Sequence, residues 1–207
     1  MAKSTKPLLV AATNNPFKFA ELARTFTASG YSLQPYWQYL GRQHFPTEGT
    51  KNFTDNATGK AEFIAKQLPE AIVIGDDSGL FIDALPDHFG VTTIRELNEH
   101  AKTDAQMNQY IIDLLAPTQA SRQARLTTTL TVVTPNGSSF SRTGWTTFTI
   151  PFQPIGLYSH GFDRIMWLPE IGLTLAQLPD QARIPFTPRG RVVPQVIHEL
   201  VLRDDFK

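Results

Sequence analysis

The 207-residue chain contains no cysteine, which excludes disulfides and thiolate metal sites and fits a reducing compartment. It also lacks net charge, with 19 Lys and Arg against 19 Asp and Glu. Without a global field of either sign, neither nucleic acid nor a membrane surface is an expected partner, and an anionic ligand must be held by local basic groups. No apolar run is long enough to span a bilayer. Met1-Ala2-Lys3-Ser4-Thr5-Lys6 lacks a signal-peptide core, so a cytoplasmic location is expected. No repeat or low-complexity segment occurs. No P-loop or dinucleotide-binding glycine pattern is present, which removes those phosphate-binding families. What remains is an ordinary globular composition, long enough for one large domain or two small lobes.

The chain is organised around Ile72-Val73-Ile74-Gly75-Asp76-Asp77-Ser78-Gly79-Leu80. Its β-branched start predicts a buried strand, and the strand is expected to end at the two aspartates. Carboxylates at the carboxyl end of a strand lie where open α/β sheets keep their ligands. On extended backbone the two aspartates point to opposite faces, so one can face a ligand while the other braces the loop or reaches a metal. Asp, Ser and Gly also form turns readily, and an acidic turn is the plainer alternative.

Elsewhere, 7–12 predicts a first strand, followed by Thr13-Asn14-Asn15-Pro16-Phe17-Lys18 and apolar residues at helical spacing. Asn15 as N-cap and Pro16 at the first helical position start that helix, whose open N–H groups would seat phosphate. Lys18 is out of place in a first turn, where the dipole favours acids. A bound polyanion explains it; a solvated lysine does so equally well. Further expectations are a strand at 32–36, a helix over 53–67, a short strand or hairpin arm over 80–85, helices over 91–99 and 105–115, and a hairpin of 122–134 with 138–150 around Pro135-Asn136-Gly137. A loop at 159–164, a short helix within 171–182 and a final helix starting at Thr187-Pro188 complete the chain. Arg183, Arg189 and Arg191 bracket that last start as a second candidate anion site. Basic residues at both ends with carboxylates between them form the kind of set that a triphosphate with Mg²⁺ requires.

These motifs, in this order and spacing, resemble the inosine triphosphate pyrophosphatases, and the likeness runs through nearly the whole chain. Thr13 to Lys18 matches the family's opening Thr/Ser-x-Asn-x-x-Lys. Glu48 stands nine positions before Ala57 in Phe53-Thr54-Asp55-Asn56-Ala57, with Lys60 following. Asp76-Asp77-Ser78-Gly79-Leu80 reproduces the central signature. Gly90 to Arg95 follows Gly-x-x-Ser-x-Arg with threonine for serine. Asp104 and Asn108 match a helix signature, Arg122-Gln123-Ala124-Arg125 opens the hairpin, and Arg189-Gly190 keeps part of Ser-His-Arg-Gly.

The resemblance implies an α/β fold over 1–207: a long mixed sheet flanked by helices, two lobes with a central cleft, and a homodimer. It implies Mg²⁺-dependent hydrolysis of non-standard purine nucleoside triphosphates to a monophosphate and pyrophosphate. Asp77 would be general base and metal ligand, Glu48 the other metal carboxylate, with Asp76 adjacent. Thr13, Asn14, Asn15, Lys18, Lys60, Ser78, Arg183 and Arg189 would hold the triphosphate.

Departures gather on the base side. His160-Gly161-Phe162-Asp163-Arg164 replaces Gly-Phe-Gly-Tyr-Asp-Pro once Asp163 is aligned, so His160 takes the position of a base-stacking phenylalanine. A histidine stacks more weakly and adds a hydrogen-bonding edge; His160 as loop filler is the equal alternative. Pro188 replaces a histidine, removing a side chain and a backbone donor, and Arg183 stands for lysine. The implied result is retained pyrophosphate chemistry with a shifted base preference. The alternative is a non-catalytic nucleotide-binding homologue.

Overall fold

The computed structural model describes residues 7–116 and 121–205. Strand β1 (Leu8–Ala12) leads into helix α1 (Pro16–Ala28). Asn15 starts the helix as expected: its side-chain oxygen accepts from the Phe17 and Lys18 amides at 2.9 and 3.1 Å. Next come β2 (Leu33–Pro35), a one-turn helix α2 (Trp37–Leu40) and α3 (Phe53–Ala65), whose first turn is capped by Asn52. The chain continues through β3 (Ala71–Ile82), α4 (Thr93–His100) and α5 (Asp104–Leu115) to the β4 (Gln123–Val133) and β5 (Ser139–Thr149) hairpin. Short strands β6 (Trp167–Leu168) and β7 (Leu173–Thr174) precede α6 (Asp180–Arg183) and α7 (Pro188–Leu202).

The strands form one sheet in the order β2-β1-β3-β4-β5-β6-β7. β1 pairs in parallel with β2 and β3, while β6 pairs antiparallel with β5 and β7, so the sheet is mixed. Among the described residues, no helix is long and apolar enough to cross a membrane.

Two compact units can be distinguished: one from residues 7–78, 128–144 and 189–205, the other from 79–116, 121–127 and 145–188. In the first unit, side-chain alternation along the strands separates two cores. Leu9, Ala11, Ile72, Ile74, Leu130 and Val132 pack with Leu22 and Phe26 of α1 and Val192, Val193 and Val196 of α7. Val10, Ala12, Ala71 and Val73 pack on the other face with Ala61 and Ile64 of α3. The second unit has its own core, in which Leu80, Leu97, Ile111, Leu115, Phe148 and Ile165 are fully or almost fully buried.

β3 departs from expectation. It does not stop at Asp76; twelve residues run as one strand through Asp76-Asp77-Ser78-Gly79 to Ile82. The two-residue strands β6 and β7 have no counterpart in the sequence reading, being too short to show a period.

At Gly75 helix α3 presses directly on β3. A Cβ there would stand 2.0 Å from the Ala57 carbonyl oxygen, a backbone atom that cannot rotate away. Gly75→Ala must therefore displace α3, and overpacking of this kind costs roughly 1–3 kcal/mol or more. The expected result is a lower urea midpoint with an unchanged m-value; an unaltered midpoint would mean that the helix yields freely.

Candidate functional site

The alternation that divides the first core also sorts the acids. Asp76 has the parity of Ile72 and Ile74 and faces α1 and α7; Asp77 has the parity of Val73 and faces α3. Each meets cations from the helix it faces.

Asp76 is completely buried. Arg189, in the first turn of α7, donates from Nε to Oδ2 at 2.8 Å and from Nη2 to Oδ1 at 3.0 Å. Lys18 of α1 brings Nζ to 2.8 Å from Oδ1. The same guanidinium donates from Nη1 to Glu21 at 2.7 Å and from Nη2 to the Ser78 hydroxyl at 2.9 Å. Ser78 in turn shares a hydrogen bond with Thr128. Burial alone would raise the Asp76 pKa, but the Arg189 and Lys18 charges outweigh it and hold the carboxyl far below the usual range. Arg189 is shifted upward: burial opposes the charge, and Asp76 with Glu21 more than compensates.

On the opposite face Lys60, nine-tenths buried, donates from Nζ to Glu48 at 2.8 Å and to Asp77 at 3.3 Å. Burial would lower its pKa, yet the charges of Asp77 and Glu48 raise it. Asn56 holds the remaining geometry. Its Nδ2 donates to Asp77 Oδ2 at 3.0 Å and to the Gly49 carbonyl at 3.2 Å, while its Oδ1 accepts from the Gly49 amide at 2.8 Å. One asparagine thus ties the loop carrying Glu48 to the strand carrying Asp77.

Several expectations change here. Lys18 is not a solvated lysine: its ammonium lies 2.8 Å from the buried Asp76 carboxylate. The N-terminus of α1 does not offer its first amides to phosphate: Asn15 takes those of Phe17 and Lys18, and the Asn15 amide itself donates to Thr13 Oγ1 at 3.2 Å. Asn14 is held by the Tyr36 hydroxyl and donates to the Gln43 carbonyl at 2.8 Å. Asp76 was expected beside Glu48 in a metal set, but it faces away from Asp77 and is bonded by Arg189 and Lys18. Glu21 and Asn56 were missed as site residues. Asn56 lies inside a quoted motif and had a signal; Glu21 had none.

In the second unit, Arg183 is buried and braces a loop. It donates to the Tyr158 and Leu178 carbonyls at 3.0 and 3.2 Å, pairs with Asp180, and lies 3.6 Å from Asp163. Gly161 opens a 3₁₀ turn over Gly161–Arg164, with φ +58°, a conformation natural to glycine. His160 is exposed, Phe162 packs partly against the second core, and Pro188 is buried at the start of α7.

Hard oxygen donors are what Mg²⁺ takes, and it is commonly held by one or two carboxylates completed by substrate phosphates. Glu48 and Asp77 fit that description, since both already converge on one cation, the Lys60 ammonium. Among the described residues no group of three metal-ligating side chains is gathered. Charge points the same way: Glu21, Glu48, Asp76 and Asp77 outnumber Lys18, Lys60 and Arg189 by one. A cluster with excess negative charge favours a polyanion only if a further cation accompanies it.

A model of the Ham1 family matches residues 9–199. The chain belongs to the Ham1 family. Among Ham1-like relatives, a dihydroneopterin triphosphate diphosphatase of Limosilactobacillus reuteri is 34% identical, covering 92% of this chain and 96% of its own. A dITP/XTP pyrophosphatase of Listeria monocytogenes is 31% identical, covering 93% and 94%. A solved Ham1 protein from Coxiella burnetii superposes with TM-score 0.80 at 27% identity, covering 95% of this chain and 99% of that one. The mixed sheet and flanking helices are therefore those of the Ham1 fold.

Proposed function

We propose that this Ham1 protein hydrolyses triphosphates between the α and β phosphorus, releasing pyrophosphate and a monophosphate, with dITP- and XTP-like purine nucleotides as substrates in a house-cleaning role. The observation that carries this is Lys60 held between Glu48 and Asp77, on the face of β3 opposite the Asp76–Arg189 pair. A water attacks the α phosphorus, its proton passes to Asp77, and pyrophosphate leaves. Lys60 and Lys18 offset charge growing on the phosphate oxygens. Lys60 is also the donor that keeps Asp77 and Glu48 aimed together. Glu48 and Asp77 would hold Mg²⁺, which when bound neutralises phosphate charge. Asp76 is left out of that pair: with Arg189, Glu21 and Ser78 it fixes the strand beneath Asp77. We assign His160, Gly161, Phe162 and Asp163 to the base side, braced by Arg183 and followed by Pro188. Thr13, Asn14 and Asn15 shape the turn that presents Lys18. The chain is taken as one catalytic domain, and on the family resemblance as a cytoplasmic homodimer.

A second reading of the substrate is a pterin triphosphate. It is supported by the Limosilactobacillus reuteri relative and by the altered residues from His160 to Arg164. Cleavage and machinery are the same; the heterocycle differs, and an open polyol chain replaces the ribose.

Pyrophosphate release should be measured on dITP, XTP, ATP, GTP and dihydroneopterin triphosphate, with Mg²⁺ and with EDTA. The expected outcome is release that is lost in EDTA and favours dITP and XTP at least about tenfold over ATP. Preference for dihydroneopterin triphosphate would select the second reading. No release from any of the five by folded protein would leave a nucleotide-binding homologue without catalysis.

A further inference from the structure

Two polar side chains of α5 are not used by the chemistry above, yet they converge on one residue. Asp104 Oδ2 accepts the Gly161 amide at 2.9 Å, and Asn108 Nδ2 donates to the Gly161 carbonyl at 2.8 Å. Both backbone groups of Gly161 are thus gripped by residues four apart, one turn of one helix, across 53 to 57 positions of sequence. The helix itself is firmly set, with Thr103 and Gln106 forming a reciprocal capping box and Met107, Ile111, Ile112 and Leu115 buried.

Asn108 is almost wholly buried, and its Oδ1 has no hydrogen-bond partner among the described residues. A buried acceptor left unpaired carries a desolvation cost that an apolar side chain of similar size would avoid. Simple filling of the core therefore does not account for an asparagine here; its contact with Gly161 does. Asp104 differs, being exposed and in the first turn, where the dipole favours an acid whether or not it reaches Gly161. What distinguishes it is the direction of its carboxylate onto a single amide.

We propose that Asp104 and Asn108 are positioning residues that set base discrimination by fixing the Gly161 peptide, and through it the aim of His160 and Phe162. The left-handed Gly161 is where the chain direction changes between those two side chains. A turn of either peptide plane flanking it, through φ and ψ, re-aims the neighbouring side chain, whereas the clamp holds both planes in one orientation. Beyond the turn, Ser159 donates to Asp163, and Arg183 holds the Tyr158 carbonyl. Among the described residues, the side chains that hydrogen-bond the glycine itself are the two of the α5 clamp. The proposal rests on the base-side role assigned above to residues 160–163.

The test uses full-length Asp104→Ala, Asp104→Asn and Asn108→Ala, with Gln109→Ala, an exposed neighbour on the same helix, as control. Deuterium exchange reads the clamp without reference to activity. Peptides covering 157–164 should exchange faster in both alanine variants and near wild type in Asp104→Asn, whose amide oxygen still accepts from Gly161. Pyrophosphate release reads the consequence. The ratio of kcat/KM between the preferred triphosphate and ATP should fall about tenfold in Asp104→Ala, mainly through KM of the preferred substrate, with recovery in Asp104→Asn. Asp104 is exposed, so this pair stays informative even if Asn108→Ala fails to fold. Unchanged exchange would overturn the clamp. Faster exchange with an unchanged ratio, or an equal loss on every triphosphate, would overturn its role in discrimination. A wild type that turns over no triphosphate would defeat the proposed function itself, and with it this role, while the exchange data still report the clamp.

Discussion

Asp76→Asn should lower the stability of the fold by about 3–5 kcal/mol, the range for removing one partner of a buried ion pair. The substitution keeps the shape of the side chain and removes its charge. It leaves the Arg189 guanidinium buried with Glu21 as its one remaining carboxylate among the described residues, and turns one of the two oxygens facing Arg189 and Lys18 into a donor. Against a typical total of about 5–15 kcal/mol such a loss is severe. Urea denaturation checks it, and a change below about 1 kcal/mol would show that Arg189 finds compensation elsewhere. The pH dependence carries the same signature. Asp76 titrates well below its ordinary value in the folded chain, so the unfolded chain binds its proton first as pH falls. Its contribution is complete above about pH 4 and is lost progressively below that. The wild type should therefore weaken in acid, and Asp76→Asn should be both less stable at neutral pH and flatter below pH 4.

Asp77→Asn has a different expected outcome: a chain that remains folded and releases pyrophosphate about 10²–10⁴ times more slowly, the contribution usual for a positioned general base. Some stability is lost as well. Lys60 donates to one oxygen of Asp77 and Asn56 to the other, so an amide must present its own donor to one of them. Asn56 cannot turn over to accommodate it without giving up its two bonds to Gly49. Activity should accordingly be normalised to the folded fraction, taken from the denaturation curve. More than about a tenth of wild-type release by the folded variant would exclude Asp77 as the proton acceptor. The two neighbours thus predict opposite phenotypes, stability for Asp76 and turnover for Asp77. Equal phenotypes would break the assignment of both.

Signals that are local in sequence were read well. The start of α1 depends on Asn15 and Pro16 and needs nothing distant, and the Asn-Gly turn between β4 and β5 is equally self-contained. The opposite orientation of Asp76 and Asp77 follows from strand geometry alone. What could not be read is where their partners come from. Two aspartates, a serine and a glycine look like the end of a strand because buried charge is costly. The strand continues because Arg189, 113 positions away, and Lys60, 17 positions away, supply the opposite charges. The carboxylates beside Lys18 and Arg183 were out of reach for the same reason: Asp76 meets Lys18 and Asp163 meets Arg183 only once the chain has folded. A motif identifies the charges of a site, whereas their pairing is a property of the folded chain.

The two-residue period of β3 also restricts how genes for this fold can change. One residue inserted or deleted between Ile72 and Asp76 would turn the aspartates over, presenting the first to α3 and the second to Arg189. Every letter of the motif would survive and every partner would be wrong. This segment can drift by substitution but tolerates no insertion or deletion of a single codon. Length variation is therefore expected in the loops, with the interval from the start of β3 to its aspartates kept as a ruler of constant length.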